Sequence, residues 1–233
     1  MSLGVLLPSS AQAITLIDTT PSWDGSSNIT SFGGTATYGQ TVTTPAVDNV
    51  LNSFSFILGD TWSGTPITFK GYVSQWDGSK ATGPILYSSG DKTYSGGGFQ
   101  TYDFNTGSLA LTPGQQYVLF LNASSSFATS GATGQALIDN SQTYSGGKFV
   151  FSNNDADFGA LTTTDWDSVG FDFGDSAFTA SFSSSPVSVP WETDALPVVG
   201  STILFGLGLW SKRKFEKNKY SQGFKKELAN NEF

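Results

Sequence analysis

LNSFSFIL, residues 51–58, decides the fold. Successive side chains of a strand point to opposite faces, so Asn52, Phe54, Phe56 and Leu58 share one face while Leu51, Ser53, Ser55 and Ile57 share the other. The first face is the greasier, which predicts a strand with one side on a core. A second stretch, QQYVLFLN at 115–122, behaves differently. Its unbroken apolar run from Tyr117 to Leu121 reads as a strand buried on both sides. Leu111-Thr112-Pro113-Gly114 precedes it as a turn, with proline presetting one φ and glycine allowing the reversed one.

Outward from these two stretches, alternating apolar and polar residues broken by Gly, Ser, Asn and Asp run from Ile14 to about Phe182. That pattern predicts strands at Thr15–Thr19, Gln40–Thr44, Leu51–Leu58, Thr65–Gln75, Ile85–Ser88, Phe99–Phe104, Ser108–Leu111, Gln116–Asn122, Lys148–Ser152, Val169–Phe173 and Ala177–Ser183. No long helical period interrupts them. The expectation is an all-β chain: a single antiparallel β-sandwich of jelly-roll type at 14–183, followed by one short hydrophobic helix near the C-terminus. A barrel is the alternative that strand spacing leaves open.

Two short echoes occur in the body. KTYSGGGF at 92–99 returns as QTYSGGKF at 142–149, and SWDG at 22–25 returns as QWDG at 75–78. Asp-Gly and Gly-Gly pairs supply the backbone angles of tight turns, so turns account for each residue type without a ligand.

Composition narrows the chemistry. The 233 residues include 19 Phe, 8 Tyr and 6 Trp, enough ring surface to build a core. Between Ile14 and Ser185 four lysines face fourteen aspartates, with neither arginine nor glutamate, which leaves this body at −10. From Ser211 to Phe233 six lysines and one arginine outweigh three glutamates, so the tail stands at +4. An arginine-free acidic body repels phosphate backbones, which argues against nucleic acid as a partner. The chain has no cysteine and no histidine. Disulfides, thiol nucleophiles, imidazole bases and the commonest zinc ligands are therefore absent from it.

Catalysis has little to draw on. Paired carboxylates would have to be aspartates, since no glutamate precedes Glu192, and most aspartates stand in turn contexts such as Trp76-Asp77-Gly78. A serine nucleophile would have to borrow Lys70, Lys80, Lys92 or Lys148 as its base. The reading is a non-enzymatic body. Its densest acidic run, NNDADFGALTTTDWDSVGFDFGD, places Asp155, Asp157, Asp165 and Asp167 close together in sequence. Oxygen-rich loops of this kind take calcium, although the spacing is not that of an EF-hand; a solvated acidic edge is the plainer reading. No other cofactor is expected. Trp23, Trp62, Trp76 and Trp166, each flanked by polar or small residues, are candidates for stacking on sugar rings, Trp23 and Trp76 foremost.

Both ends read as handling signals. MSLGVLLPSSAQA, residues 1–13, has a short apolar stretch and an Ala-Gln-Ala ending, as in a truncated secretory signal peptide. SSSPVSVPWET, residues 183–193, leads into and fills most of the 184–194 linker as a proline-containing tether. Ala195 to Trp210 is then free of charge for sixteen residues, and Ser211-Lys212-Arg213-Lys214 follows at the head of the 211–233 tail. Sixteen residues make about 24 Å of helix, short of a roughly 30 Å hydrocarbon core, which fits a buried helix on length alone. Apolar character on every side, the abutting basic cluster and the bracketing Trp191 and Trp210 favour a membrane, with the basic tail inside and the body outside.

Pro190-Trp191-Glu192, Ala195-Leu196-Pro197-Val198-Val199-Gly200, Phe205-Gly206-Leu207-Gly208 and Lys212-Arg213-Lys214 resemble the tripartite carboxy-terminal sorting signal of PEP-CTERM proteins, in a form typical of cyanobacteria. Pro-Trp-Glu stands where Pro-Glu-Pro is usual, and about twenty residues continue beyond the basic cluster. The resemblance implies recognition by an exosortase, a membrane cysteine transpeptidase, with Pro190, Trp191, Glu192 and Pro197 in the motif. It also implies processing and delivery to the cell surface or exterior. The body is then a surface or matrix domain; as a carbohydrate-binding module, aided or not by calcium, its partner would be exopolysaccharide.

Overall fold

The structure, a computed structural model, describes residues 14–59, 66–129, 132–139, 143–167 and 173–185. The chain divides into two units, Met1–Ser185 and Pro186–Phe233, the second of which lies outside the described residues. So do the leader at 1–13, Trp62, the motif residues Pro190, Trp191, Glu192 and Pro197, the apolar segment from Ala195 to Trp210, and Lys212, Arg213 and Lys214. Among the described residues no helix is long and apolar enough to cross a membrane.

Among the described residues thirteen strands succeed one another in chain order: β1 (Ile14–Asp18), β2 (Asn28–Phe32), β3 (Thr37–Thr43), β4 (Val50–Gly59), β5 (Ile67–Trp76), β6 (Ala81–Ser88), β7 (Lys92–Tyr94), β8 (Gln100–Ala110), β9 (Gln116–Asn122), β10 (Thr133–Asp139), β11 (Phe149–Ser152), β12 (Phe173–Ser176) and β13 (Phe178–Ser183). The first sheet runs β1-β13-β4-β10-β12, with β2 against β10 and β8 against β4. The second runs β11-β3-β9-β5-β6, with β7 against β5. Every pairing between these strands is antiparallel. This is a two-sheet sandwich rather than a closed barrel, and from β8 to β12 each successive strand changes sheet.

The core follows from strand alternation. Phe54, Phe56 and Leu58 of β4 are buried with Phe104 of β8 and Phe178 and Phe182 of β13, and Phe54 stacks on Phe104 with centroids 4.8 Å apart. Leu51 joins them, contrary to simple alternation, because the register of β4 against both neighbours shifts between Leu51 and Ser53. That bulge turns Leu51 onto the core side. It is matched in β8 by Gly107 and Ser108, both at φ 69°, where the separate strands expected at Phe99–Phe104 and Ser108–Leu111 are one.

β9 is covered on both faces, as its unbroken apolar run implies. Tyr117, Leu119 and Leu121 face the core between the sheets. Val118 and Phe120 face outward into a second cluster with Trp76, Val150, Leu161 and Trp166. Its roof is the segment 153–167, whose 3-10 turn at Phe158–Thr162 is capped by the Asp157 carboxylate accepting from the Gly159 and Ala160 amides. A third, small cluster of Ile57, Ala136 and Ala177 is covered by Trp23 and Phe99.

Three strands escaped the sequence pattern: β2, β7 and β10. β2 (NITSF) and β7 (KTY) are short, and β10 (TGQALID) buries Thr133 and Gln135 rather than displaying alternate apolar residues. The strand expected at Val169–Phe173 falls mostly outside the described residues, and β12 begins at its last residue.

Candidate functional site

The described surface contains a cleft of about 530 Å³ at the rim where the two sheets meet. One wall is β2 and the turn after it, contributing Ile29, Thr30, Ser31 and Thr35; the other is β3, β11 and the segment beyond β11, contributing Tyr38, Phe151, Asn153 and Asp167. Local chemistry explains how the walls are held. Thr35 N–H donates to the Ser31 carbonyl at 2.6 Å and Gly33 N–H to the Thr35 carbonyl at 3.0 Å, closing the β2–β3 turn. Ser31 is held at φ 82° and Gly33 at φ 105°. Glycine tolerates that region and serine does so only under constraint.

Across the cleft, Phe151 pairs in register with Tyr38 and forms a two-way backbone bridge with Asp167, each N–H reaching the other's carbonyl at 2.9 Å. The bridge places the Asp167 side chain beside β11, exposed at the cleft edge. Thr35 Oγ1 donates to Asn153 Oδ1 at 2.8 Å, tying the walls together. The buried Tyr38 hydroxyl donates to the Thr30 carbonyl at 2.6 Å. Burial pushes this phenol up to about 12, so Tyr38 remains a neutral donor at any physiological pH. The site is a cleft of hydroxyls, one amide and one carboxylate over aromatic edges and an isoleucine. Among the described residues no lysine or arginine lines it.

The four aspartates grouped in sequence are dispersed. Asp157 caps a 3-10 turn, and Asp155 sits in a turn at φ 48°. Asp165 accepts from Lys80 Nζ at 3.0 Å and from Ser79 Oγ at 2.8 Å; these bonds, the lysine's first, lower its pKa. Only Asp167 reaches the cleft. Among the described residues no group of three acidic side chains is placed to hold a metal ion, so the calcium expectation for Asp155, Asp157, Asp165 and Asp167 finds no assembled site.

The tryptophans are likewise reassigned. Trp76 is 4% exposed and packs edge-to-face on Trp166 at 5.5 Å, so neither offers a face to a sugar. Polar neighbours in sequence misled because Gln75 and Asp77 are exposed, whereas Trp76, on the outer face of β5, is covered by the segment 153–167. Trp23 is half-buried, its ring edge-to-face with Phe99 at 4.9 Å and its indole N–H donating to the Ser27 carbonyl at 2.7 Å. It does not line the cleft.

The Trp-Asp-Gly stretches are connections, whereas KTYSGGGF opens with strand β7 and QTYSGGKF ends at the start of β11. Asp24 accepts from the amides of Ser27 and Ser26, at 2.6 and 2.8 Å, and Asp77 from those of Ser79 and Lys80, at 2.8 and 2.9 Å. These bonds hold both carboxyls down to about 2. In the second echo, the Tyr94 hydroxyl donates to the Gly98 carbonyl at 3.0 Å, whereas that of Tyr144 accepts from Thr43 N–H at 3.1 Å.

Among the described residues two carboxylates are buried, Asp48 and Asp175. Asp48 accepts from Thr15 Oγ1 at 2.6 Å. Asp175 accepts from Gln40 Nε2 and from the amides of Thr143 and Tyr144, each at 2.8 Å. Burial raises its pKa against the pull of those donors. Neither lines the cleft, whose described lining holds one carboxylate, Asp167.

Sequence reading passed over Ser31, Thr35, Tyr38 and Asn153 because nothing in their spacing marks them. The nearest signal was Asn153 itself, at the head of the acidic run.

No protein-family model matches the chain, and no curated protein matches it. Its structure is similar to that of the cysteine protease and lectin-like domains of Cwp84, a surface layer associated protein of Clostridium difficile, with a TM-score of 0.49 and 12% identity over 76% of this chain and 37% of that one. It is also similar to the clostridial cysteine protease Cwp84 after propeptide cleavage, with a TM-score of 0.44 and 12% identity over 76% and 41%. The chain thus spans well under half the length of either.

Proposed function

We propose that this chain is an exported surface or matrix protein, a non-catalytic sandwich of jelly-roll type delivered through a PEP-CTERM-like carboxy-terminal signal. The observation that carries the reading is one of order. Directly after β13 ends at Ser183 come Pro190-Trp191-Glu192, sixteen uncharged residues from Ala195 to Trp210, and Lys212-Arg213-Lys214. An apolar helix over 195–210 stopped by a basic cluster orients itself with the cluster on the cytoplasmic side and the acidic body outside. An exosortase-type membrane transpeptidase is then the processing partner, and the cell surface or exterior the destination. Passage of the chain between sheets at β3–β4–β5 and again from β8 to β12 supports the jelly-roll assignment.

Fractionation of cells producing the full chain and a chain ending at Ser185 tests the reading. The full chain should partition with membranes or surface material, and the truncated chain should not. Identical soluble cytoplasmic partition of both would end it. Replacing Lys212, Arg213 and Lys214 with alanine should weaken retention without touching the sandwich.

A further inference from the structure

We propose that the cleft between the β2–β3 turn and the β11 edge binds a neutral, hydroxyl-rich ligand, a one- or two-residue stretch of an uncharged glycan. Its volume of about 530 Å³ lies within the roughly 300–1,000 Å³ range of small-molecule sites. The polar groups are of the kinds that sugars use. Asp167 offers two acceptor oxygens to a pair of neighbouring hydroxyls, the Asn153 NH₂ donates while its oxygen holds Thr35, and the Ser31 hydroxyl both donates and accepts. The Tyr38 hydroxyl and Thr35 are already committed across the cleft, so they fix the walls rather than contact the ligand. The left-handed backbone at Ser31, strained for a residue with a Cβ, is held by the turn's own bonds, Thr35 N–H to the Ser31 carbonyl and Gly33 N–H to the Thr35 carbonyl.

Charge selects within the class. With one carboxylate and no cation among the described lining residues, phosphorylated, sulfated and uronic ligands are repelled while uncharged ones are not. The site is also composite: β2 belongs to one sheet, β3 and β11 to the other. Segments over a hundred residues apart must come together before it exists.

The proposal is independent of the delivery reading, because binding is measured in solution wherever the cell sends the protein. The full chain is titrated with methyl glucoside, methyl galactoside, methyl mannoside, maltose, cellobiose and lactose, and with glucuronic and galacturonic acids, by ligand-observed NMR and calorimetry. At least one neutral sugar should bind saturably, and each acid about tenfold more weakly than its neutral parent. Asp167→Ala, at an exposed side chain, should weaken binding about tenfold with the melting temperature unchanged, and Asn153→Ala, which also removes the tie to Thr35, should weaken it at least as much. Trp23→Ala should leave affinity unaltered, since Trp23 covers a different face. No binding by any neutral sugar would overturn the proposal, as would tighter binding of the acids. Equal affinity in Asn153→Ala, Asp167→Ala and the unmodified chain would overturn it too.

Discussion

Asp175→Ala tests how the two sheets are joined at one end of the sandwich. The side chain is fully buried, and one oxygen accepts from Gln40 Nε2 of β3 while the other accepts the amides of Thr143 and Tyr144. Gln40 meanwhile accepts the Ser176 amide at 2.8 Å, so the carboxylate anchors a relay from β3 to β12. Truncation leaves three donors without this acceptor, at about 1–3 kcal/mol for each buried group. Gln40 Nε2 keeps the Thr41 carbonyl at 3.3 Å, and removal of a desolvated charge returns part of the loss. The net expectation is a loss of about 2–4 kcal/mol, a large share of the about 5–15 kcal/mol that holds a domain together. Asp175→Asn should cost less, since its carbonyl keeps the two amides while its NH₂ opposes that of Gln40. Urea unfolding of the full chain, followed by fluorescence of the buried Trp76 and Trp166, measures both. The pH sign is also determined. Burial raises the native pKa of Asp175 above the unfolded 3.8, so the native state binds this proton more readily. Its contribution to stability is fully present below 3.8 and is lost as pH rises through the native pKa. The gap between the unmodified chain and Asp175→Asn should therefore widen as pH is lowered from 7 to 4. A cost below about 1 kcal/mol for Asp175→Ala, or a gap that narrows on acidification, would refute the argument.

Trp76→Ala should destabilise by about 3–5 kcal/mol, because it empties the cluster beneath residues 153–167; stability within about 0.5 kcal/mol of the unmodified chain would place that ring at the surface after all. Gly147→Ala should cost about 1–3 kcal/mol, since a Cβ there runs into the Thr41 carbonyl, whereas Gly90→Ala, with open space around it, should be neutral within about 0.5 kcal/mol; equal melting temperatures for the two variants would contradict this. Asp24 and Asp77 should titrate near 2 in carboxyl NMR, their stabilisation being present above 3.8 and lost as pH falls through about 2. Midpoints at 3.8 for both would show that the amide caps do not persist in solution.

Much of the architecture was legible wherever a single physical rule governs a local stretch. Alternation in 51–58 located a half-buried strand, and the unbroken run in 115–122 located one packed on both faces, because burial on one side or two writes itself into every residue of a strand. Legibility failed where the deciding neighbour is remote. Leu51 faces the core through a bulge whose counterpart lies at Gly107 and Ser108, and β10 is a strand because β2, β4 and β12 pair with it. Polar residues around Trp76 suggested exposure, yet the roof over that ring is a segment that begins more than seventy residues later.

The sequence by itself determined an acidic, β-rich body without cysteine or histidine, turns at each Trp-Asp-Gly, and a carboxy-terminal order of motif, apolar stretch and basic cluster. Each is a property of residue type or of neighbours along the chain. The tertiary structure alone decided which rings are buried, that four clustered aspartates go to separate tasks, and that Ser31, Asn153 and Asp167 share a cleft. Those outcomes depend on which strands pair and which sheet each one joins. Pairing is settled by the burial and hydrogen bonding of the whole sandwich, so no single stretch carries it.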